Sequence, residues 1–495
     1  MAYILSESVQ RFLQKNTHHN FINGTFALDA NAACIVVENP ADEQPLGSVP
    51  NTTHAELDRT VLAAQGGLLA WRKHTPAQRE RLLQIFADTI EQNALAIAEL
   101  LVLEQGKLLR DAKGEVAAAV SCFRYFAGWA TKITGDTLDT SLTAPNTSFF
   151  AYTKRKPVGI VAAIAPWNVP VMMFAWKIAP ALACGCSVVF KPSEFTPLTA
   201  LFIAELTQNV GLPEGILNIV NGDGLQVGDY LVRHAGIAKI SFTGSTHTGK
   251  LIARTAADRL ARVTLELGGK NPVIVMPDAD WNAAQTGIAR SALYNQGQVC
   301  VAGSRVYFPR KQFDNYAADL AQALAKTVVA DGFAADAGLG PVVSKAHFQK
   351  VLQGINDAKT DDLTCLTGGL AAAEKGYFIQ PTLFANTENK DVAMLRDEVF
   401  GPVLIAMPFD DINEVIAAAN DSPYGLSASV WTQNIGTAQH LIENLQTGLI
   451  FVNSPVRSDN NLPLGGFKQS GIGRELGSAA IAQYTELKSV VVAYS

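Results

Sequence analysis

One cysteine stands in the stretch Tyr294-Asn-Gln-Gly-Gln-Val-Cys300-Val-Ala-Gly303, between small and polar residues. Gly297 and Gly303 let the backbone bend tightly and approach a ligand. A thiol so placed can act as a nucleophile, with its own backbone N–H beside it to meet developing charge. Taken singly, Cys300 also reads as an inert buried thiol. Upstream, Thr264-Leu-Glu266-Leu-Gly268-Gly269-Lys270 sets a carboxylate in an apolar, strand-like run. Burial there raises a carboxyl pKa towards the range of a general base. The alternative is a structural ion pair, with Lys270 as one possible partner.

Three polar clusters follow apolar runs earlier in the chain: Pro166-Trp167-Asn168, Lys191-Pro192-Ser193-Glu194, and Thr243-Gly244-Ser245-Thr-His-Thr-Gly249-Lys250. The third is a glycine-bounded turn into a helix, whose free N–H groups and dipole suit a pyrophosphate. It is neither the six-residue dinucleotide fingerprint nor a P-loop. Glu194 after its strand can accept from ribose hydroxyls and would repel a 2′-phosphate; singly it is a solvated turn residue. Glu398-Val-Phe400-Gly401-Pro402 joins an acid and an aromatic at a turn into a strand. The glycine-rich stretch Leu462 to Glu475 lacks a preceding strand and is read as holding the second half of the chain together.

The elements that must position these residues are legible in outline. At 495 residues the chain exceeds one core. With 48 % hydrophobic and 17 % charged residues it is globular. A net charge of −6 leaves no basic footprint for nucleic acid. No apolar run spans a membrane, and Met1 to Ser8 lacks the features of a signal peptide. Six scattered cysteines make no disulfide scaffold, and Cys184-Gly-Cys186 without a neighbouring histidine makes no metal site. The expectation is a reduced, cytoplasmic protein without a metal.

Residues 1–50 read as irregular, with short strands near Phe21–Gly24 and Cys34–Glu38. Capping boxes at Thr53-His-Ala-Glu56 and Thr75-Pro76-Ala-Gln78 start two helices, and Leu83, Phe86 and Ile90 give the second a buried face. From Val158 strands alternate with helices: Val158–Ile164, Ser187–Lys191, Ile216–Val220 and Ala238–Phe242, with a helix from Thr196-Pro197 to Gly211. A second alternating region holds Pro272–Met276, Ser304–Phe308, Pro402–Met407 and Leu449–Val452. Such alternation predicts an α/β protein with a doubly wound, Rossmann-like parallel sheet and a second α/β domain. Its ligands would lie beyond the strands' carboxyl ends. Residues 131–155 form a polar insert with strand-like spacing. Ser489–Tyr494 is a strand without a local partner, and the two together suggest an oligomer contact.

With these motifs in their order, the chain resembles the NAD(P)-dependent aldehyde dehydrogenase superfamily from about residue 20 to the C-terminus. Residues 239–249 and 253–258 look closest to its bacterial phenylacetaldehyde dehydrogenases. The resemblance implies an NAD-binding domain at 1–130 and 156–265 and a catalytic domain at 266–480. Oligomerisation strands at 131–155 and 481–495 would build a homodimer or homotetramer. It implies that Cys300 attacks an aldehyde to give a thiohemiacetal, that the Asn168 amide and the Cys300 N–H hold the oxyanion, and that Glu266 activates water against the thioester. The cofactor would lie on Trp167, Lys191, Ser193, Glu194, Gly244, Ser245, Gly249, Leu267, Glu398 and Phe400. Glu194 favours NAD over NADP, although some family members with this acid accept both.

By the same analogy Val169, Met173, Trp176, Val299, Val301 and Arg457 line the substrate tunnel. Val169, where the family often places phenylalanine, widens it for an aromatic, terpenoid or medium-chain aldehyde, phenylacetaldehyde among them. Arg457 turned inward would instead favour a semialdehyde. A thiol hydrolase or acyltransferase using Cys300 and Glu266 is the rival of another class, and the strand-end clusters weigh against it. A non-catalytic protein keeping the fold is the third; intact Cys300, Glu266 and Asn168 weigh against that.

Overall fold

The computed structural model describes residues 3–495. Its first sheet has eight strands, and its centre is parallel: Leu217–Ile219, Ser187–Lys191, Ile160–Ile164, Lys239–Thr243 and Arg262–Glu266 lie side by side. Their apolar runs are buried on both faces, as crossover helices require. In sequence the chain steps from Ile160–Ile164 outward through Ser187–Lys191 to Leu217–Ile219. It then returns to the other side of Ile160–Ile164 with Lys239–Thr243. That reversal is the topological switch point where open parallel sheets bind ligands. The register sets Ile164 against Lys191 and Thr243 against Glu266, so the polar clusters emerge together at the carboxyl ends.

The second sheet has seven strands, parallel except for the Thr364–Thr367 edge, with Gly303–Pro309 and Asn271–Val275 near its centre. The terminal strand Thr485–Tyr494 does find a partner in its own chain: it pairs antiparallel along the whole of Ser148–Pro157, which also holds Thr137–Leu138. Residues 462–475, expected to hold the second half together, pair with both halves. Gly471–Ile472 adds to the first sheet beside Arg262–Glu266, and Phe467–Lys468 pairs with Tyr424–Gly425. The stretch thus adds a strand to the first sheet and forms a separate two-stranded ribbon with the segment that precedes Ser427–Trp431 of the second.

Several helix starts depart from the sequence reading. Thr75 makes its full capping box, but at Thr53 only half forms, because the Glu56 carboxylate turns to Arg59. The helix after Thr196 runs Leu198–Thr207, and Thr196 does not cap it. The Glu104 carboxylate does, accepting from the N–H groups of Leu198 (2.7 Å) and Thr199 (3.1 Å). Residues 1–50 are not wholly irregular either, since Glu7–Leu13 is helical. The helices Ala94–Gln105 and Leu109–Trp129 begin without a side-chain cap, so no local signal announces them.

The helix Pro170–Ala183 is buried along its whole length. Phe174 packs near Phe86 and Phe123, which come from the two long helices that cover it. Each such buried ring contributes about 1.5–3 kcal/mol relative to exposure. Its first turn is capped from outside: Glu115 accepts from the N–H groups of Val171 (2.8 Å) and Met172 (3.1 Å). Among the described residues no helix is long and apolar enough to cross a membrane, and no group of His, Cys, Asp and Glu side chains could hold a metal ion.

Candidate active site

The backbone before Cys300 takes an uncommon path. Asn295, Gln296 and Gly297 all have positive φ, at 51°, 59° and 69°. Non-glycine residues persist there only when their surroundings over-determine them. The Asn295 amide donates to the carbonyls of Asn168 (2.8 Å) and Gln298 (3.2 Å). The Gln298 side chain accepts from the Val343 N–H at 3.1 Å. A Cβ on Gly297 would run into the Gly401 carbonyl. Beyond the turn, Asn271 donates to the Cys300 carbonyl at 2.7 Å, and Cys300 faces the cavity half-buried.

Burial pushes the Cys300 thiol up to about 12, with the Glu398 and Glu266 charges adding; its own backbone N–H works the other way. Burial thus disfavours the thiolate, and a thiol in this setting needs a nearby base to act as a nucleophile. Glu266, the last residue of its strand, is buried with neither oxygen hydrogen-bonded. Burial first, then the Glu475 charge, hold its carboxyl well above the usual range. Lys270 forms no ion pair with it: its own ammonium is drawn down to about 7 by burial and by Arg305. The charges that oppose the rise at Glu266 are Lys177 and Arg474.

Asn168 is buried beside this turn, its amide donating to the Gln298 carbonyl at 2.8 Å. Its carbonyl accepts from Asn295 and from Lys107 (3.0 Å), and Lys107 is itself ion-paired to Glu115. The charge that caps Pro170–Ala183 therefore also fixes Asn168. One amide hydrogen of Asn168 remains for a ligand.

At the switch point, Lys191 is buried, its ammonium lowered by burial and 3.8 Å from Glu194. The Ser193 hydroxyl lies 3.3 Å from the same carboxylate. Ser245 caps Thr246–Ala257 through the Thr248 N–H. A Cβ on Gly249 would stand 2.5 Å from Leu267, and one on Gly244 2.5 Å from the Phe242 ring. Glu398 accepts from the Gly269 N–H at 2.9 Å, and burial raises its carboxyl to about 7. Phe400, at φ 63°, meets Trp167 edge to face at 5.4 Å. His347, which the sequence did not flag, bonds the Phe400 carbonyl at 2.7 Å and packs on Trp167 at 4.8 Å.

A cavity of about 390 Å³ opens on Cys300 and Asn168. Val169, Met173, Trp176, Val299, Val301 and Arg457 all line it, Arg457 exposed. Glu266 is not on its wall. Behind Glu266 stands a feature the sequence reading missed: Lys177, fully buried, is 2.7 Å from Glu475 and donates to Thr243 at 2.8 Å. A lysine inside an otherwise apolar helix was the available signal.

A parallel double-sheet fold with a thiol, an amide and a buried carboxylate where the sheets meet defines a class of cysteine-dependent enzymes. The Aldehyde dehydrogenase family pattern matches residues 27–490. Phenylacetaldehyde dehydrogenase of Pseudomonas fluorescens is 46 % identical over 96 % of both chains. The NAD+ complex of an aldehyde dehydrogenase from Bacillus cereus superposes with a TM-score of 0.96 at 40 % identity over 99 % of both chains. Betaine aldehyde dehydrogenase of Staphylococcus aureus in complex with NAD+ gives 0.93 at 35 % identity, covering 98 % of this chain and 97 % of that one. The chain belongs to the aldehyde dehydrogenase family.

Proposed function

We propose that this protein oxidises aldehydes with an apolar body to carboxylic acids, with NAD as hydride acceptor. The observation that carries the reading is that Cys300 and Asn168 share one apolar cavity while Glu266 and Glu398 lie close enough to bear on the thiol's acidity. The donor set at the switch point fits a dinucleotide. Lys191, Ser193 and Glu194 suit an adenine ribose, the first turn after Ser245 a pyrophosphate, and Glu398 a second ribose. Trp167, Gly244, Gly249, Leu267 and Phe400 complete the bed. Bound NAD supplies the acceptor for the hydride that leaves the aldehyde carbon. Glu194 favours NAD over NADP.

Cys300 attacks the carbonyl carbon and gives up its proton to a neighbouring carboxylate. The Asn168 amide and the Cys300 N–H hold the oxygen as it gains charge. After oxidation, Glu266 takes a proton from water, which attacks the thioester and releases the acid. The Lys177–Glu475 pair behind Glu266 tunes its acidity. Val169, Met173, Trp176, Val299 and Val301 receive an aromatic or medium-chain body, and phenylacetaldehyde is the first candidate. We assign the edge of the sheet formed by Ser148–Pro157 and Thr485–Tyr494 to a second copy of the chain. It leaves Phe150, Leu487, Val491 and Tyr494 about half exposed.

NADH formation with phenylacetaldehyde, hexanal and benzaldehyde, in wild type and Cys300→Ala, tests the reading. Turnover that vanishes in the variant is expected. Aldehyde-independent ester cleavage through Cys300, with no NADH formed from any aldehyde, would sink it.

A further inference from the structure

We propose that the buried ion pair Lys107–Glu115 positions the oxyanion donor Asn168, and that it bears on hydride transfer through that amide. The proposal rests on the reading of Asn168 as the group that holds the aldehyde oxygen.

Neither side chain lines the Cys300 cavity, and both are buried, so the pair reaches the reaction only through its neighbours. The Lys107 ammonium donates to the Asn168 backbone carbonyl at 3.0 Å. The Glu115 carboxylate accepts that ammonium on one oxygen and the N–H groups of Val171 and Met172 on the other. Val169, which opens the helix Pro170–Ala183, supplies no side-chain cap of its own. The path from Asn168 into the helix is therefore set from outside, by the ammonium before the turn and the carboxylate after it.

The anchor is itself held. Gly106 ends the preceding helix at φ 89°, and a Cβ there would stand 2.8 Å from Pro341. A Cβ on Gly332 would stand 2.2 Å from the Lys107 carbonyl, and the Leu109 N–H donates to the Gly332 carbonyl at 3.0 Å. Lys107 is thus seated against residues 332–341 of the second half, the half that also gives Asn168 its contacts with Asn295 and Gln298. A buried ion pair adds little net stability over apolar side chains of similar size, because desolvation offsets the attraction. What this pair supplies is direction, and a catalytic group displaced by about 1 Å can lose about a hundredfold in rate.

The test is a double-mutant cycle on hydride transfer, read as the first NADH turnover of the NAD-loaded protein with saturating hexanal. Lys107→Met/Glu115→Gln removes both charges and keeps an acceptor for the Val171 and Met172 N–H groups. With Asn168 present it should slow the step by about ten- to a hundredfold, while the melting temperature and the half-saturation by NAD stay near wild type. In the Asn168→Ala background the same substitution should slow it by less than about twofold, because the amide it aims is already gone. Lys107→Gln is one atom shorter than lysine yet still offers Glu115 a donor. It should give the same pattern, and it decides the matter where the double variant does not fold. Equal slowing in the two backgrounds overturns the proposal, because a general loosening of the fold would act on both alike. A step left unslowed by both substitutions overturns it as well. Asn168→Ala alone leaving the step unslowed would overturn the oxyanion reading instead, and no NADH from wild type would overturn the aldehyde reading.

Discussion

Truncating Asn168 separates chemistry from scaffolding with little ambiguity. Asn168→Ala removes one donor to the Gln298 carbonyl, but that carbonyl keeps the Asn295 amide at 3.2 Å, so no buried acceptor is orphaned. The backbone at 168 stays pinned by Asn295 and Lys107, bonds that do not involve the lost side chain. The stability cost should therefore be that of one ordinary hydrogen bond, about 0.5–1.5 kcal/mol. On the proposed mechanism the catalytic cost is larger, because the remaining amide hydrogen would meet an oxygen that gains charge only in the transition state. Loss of one such donor lowers the rate by about 10²–10³, or roughly 2.7–4 kcal/mol. Stopped-flow measurement of the first NADH turnover reads this step directly, and thermal melting reads the stability. Asn168→Asp should lose as much rate and more stability, since it sets carboxylate lone pairs against the Gln298 carbonyl. Asn168→Ala turning over within fivefold of wild type would refute the oxyanion role. A collapse in melting temperature would refute the claim that the site holds its shape without this side chain.

Glu475→Gln keeps an acceptor for Lys177 but removes a charge that raises the Glu266 carboxyl. The ionised base should then appear at lower pH, so the rising limb of thioester hydrolysis moves to lower pH; a limb that stays put or moves up contradicts the coupling. Glu194→Gln removes the carboxylate 3.8 Å from Lys191. It should raise kcat/KM with NADP by about tenfold, one charge contact's worth, while NAD turnover falls; unchanged discrimination would move the ribose elsewhere.

What the sequence disclosed, and what it withheld, divides along a physical line. Strands buried on both faces write themselves as continuous apolar runs, so most inner strands and the clusters at their ends were visible, whereas Thr382–Ala385 and Ser427–Trp431, equally buried but interrupted by small and polar residues, were not. Helix starts were legible only where the cap is local, as at Thr75. Where the cap is a carboxylate from another helix, as Glu104 and Glu115 are, nothing near the capped turn marks it, and Thr196 drew a reading that belonged to Glu104. Glu266 was legible as a buried acid, but the charges that bear on it were not. Lys270 is close in sequence yet forms no pair with it, whereas the charges of Lys177 and Glu475 act on it from a buried helix and from the glycine-rich stretch near the C-terminus.

The same division explains why the thiol's setting could be read and its substrate could not. A nucleophile needs a fixed local path, and the residues from Asn295 to Gly297 supply it within one turn. The cavity's lining is drawn from several elements, each of which contributes only a few side chains. Arg110, Asp111 and Arg290 sit on ordinary amphipathic helices and look like solvated charges in sequence. Only the cavity they share with Cys300 groups them. Arg457 could be singled out from the sequence because its loop departs from familiar patterns, yet a single exposed arginine decides little.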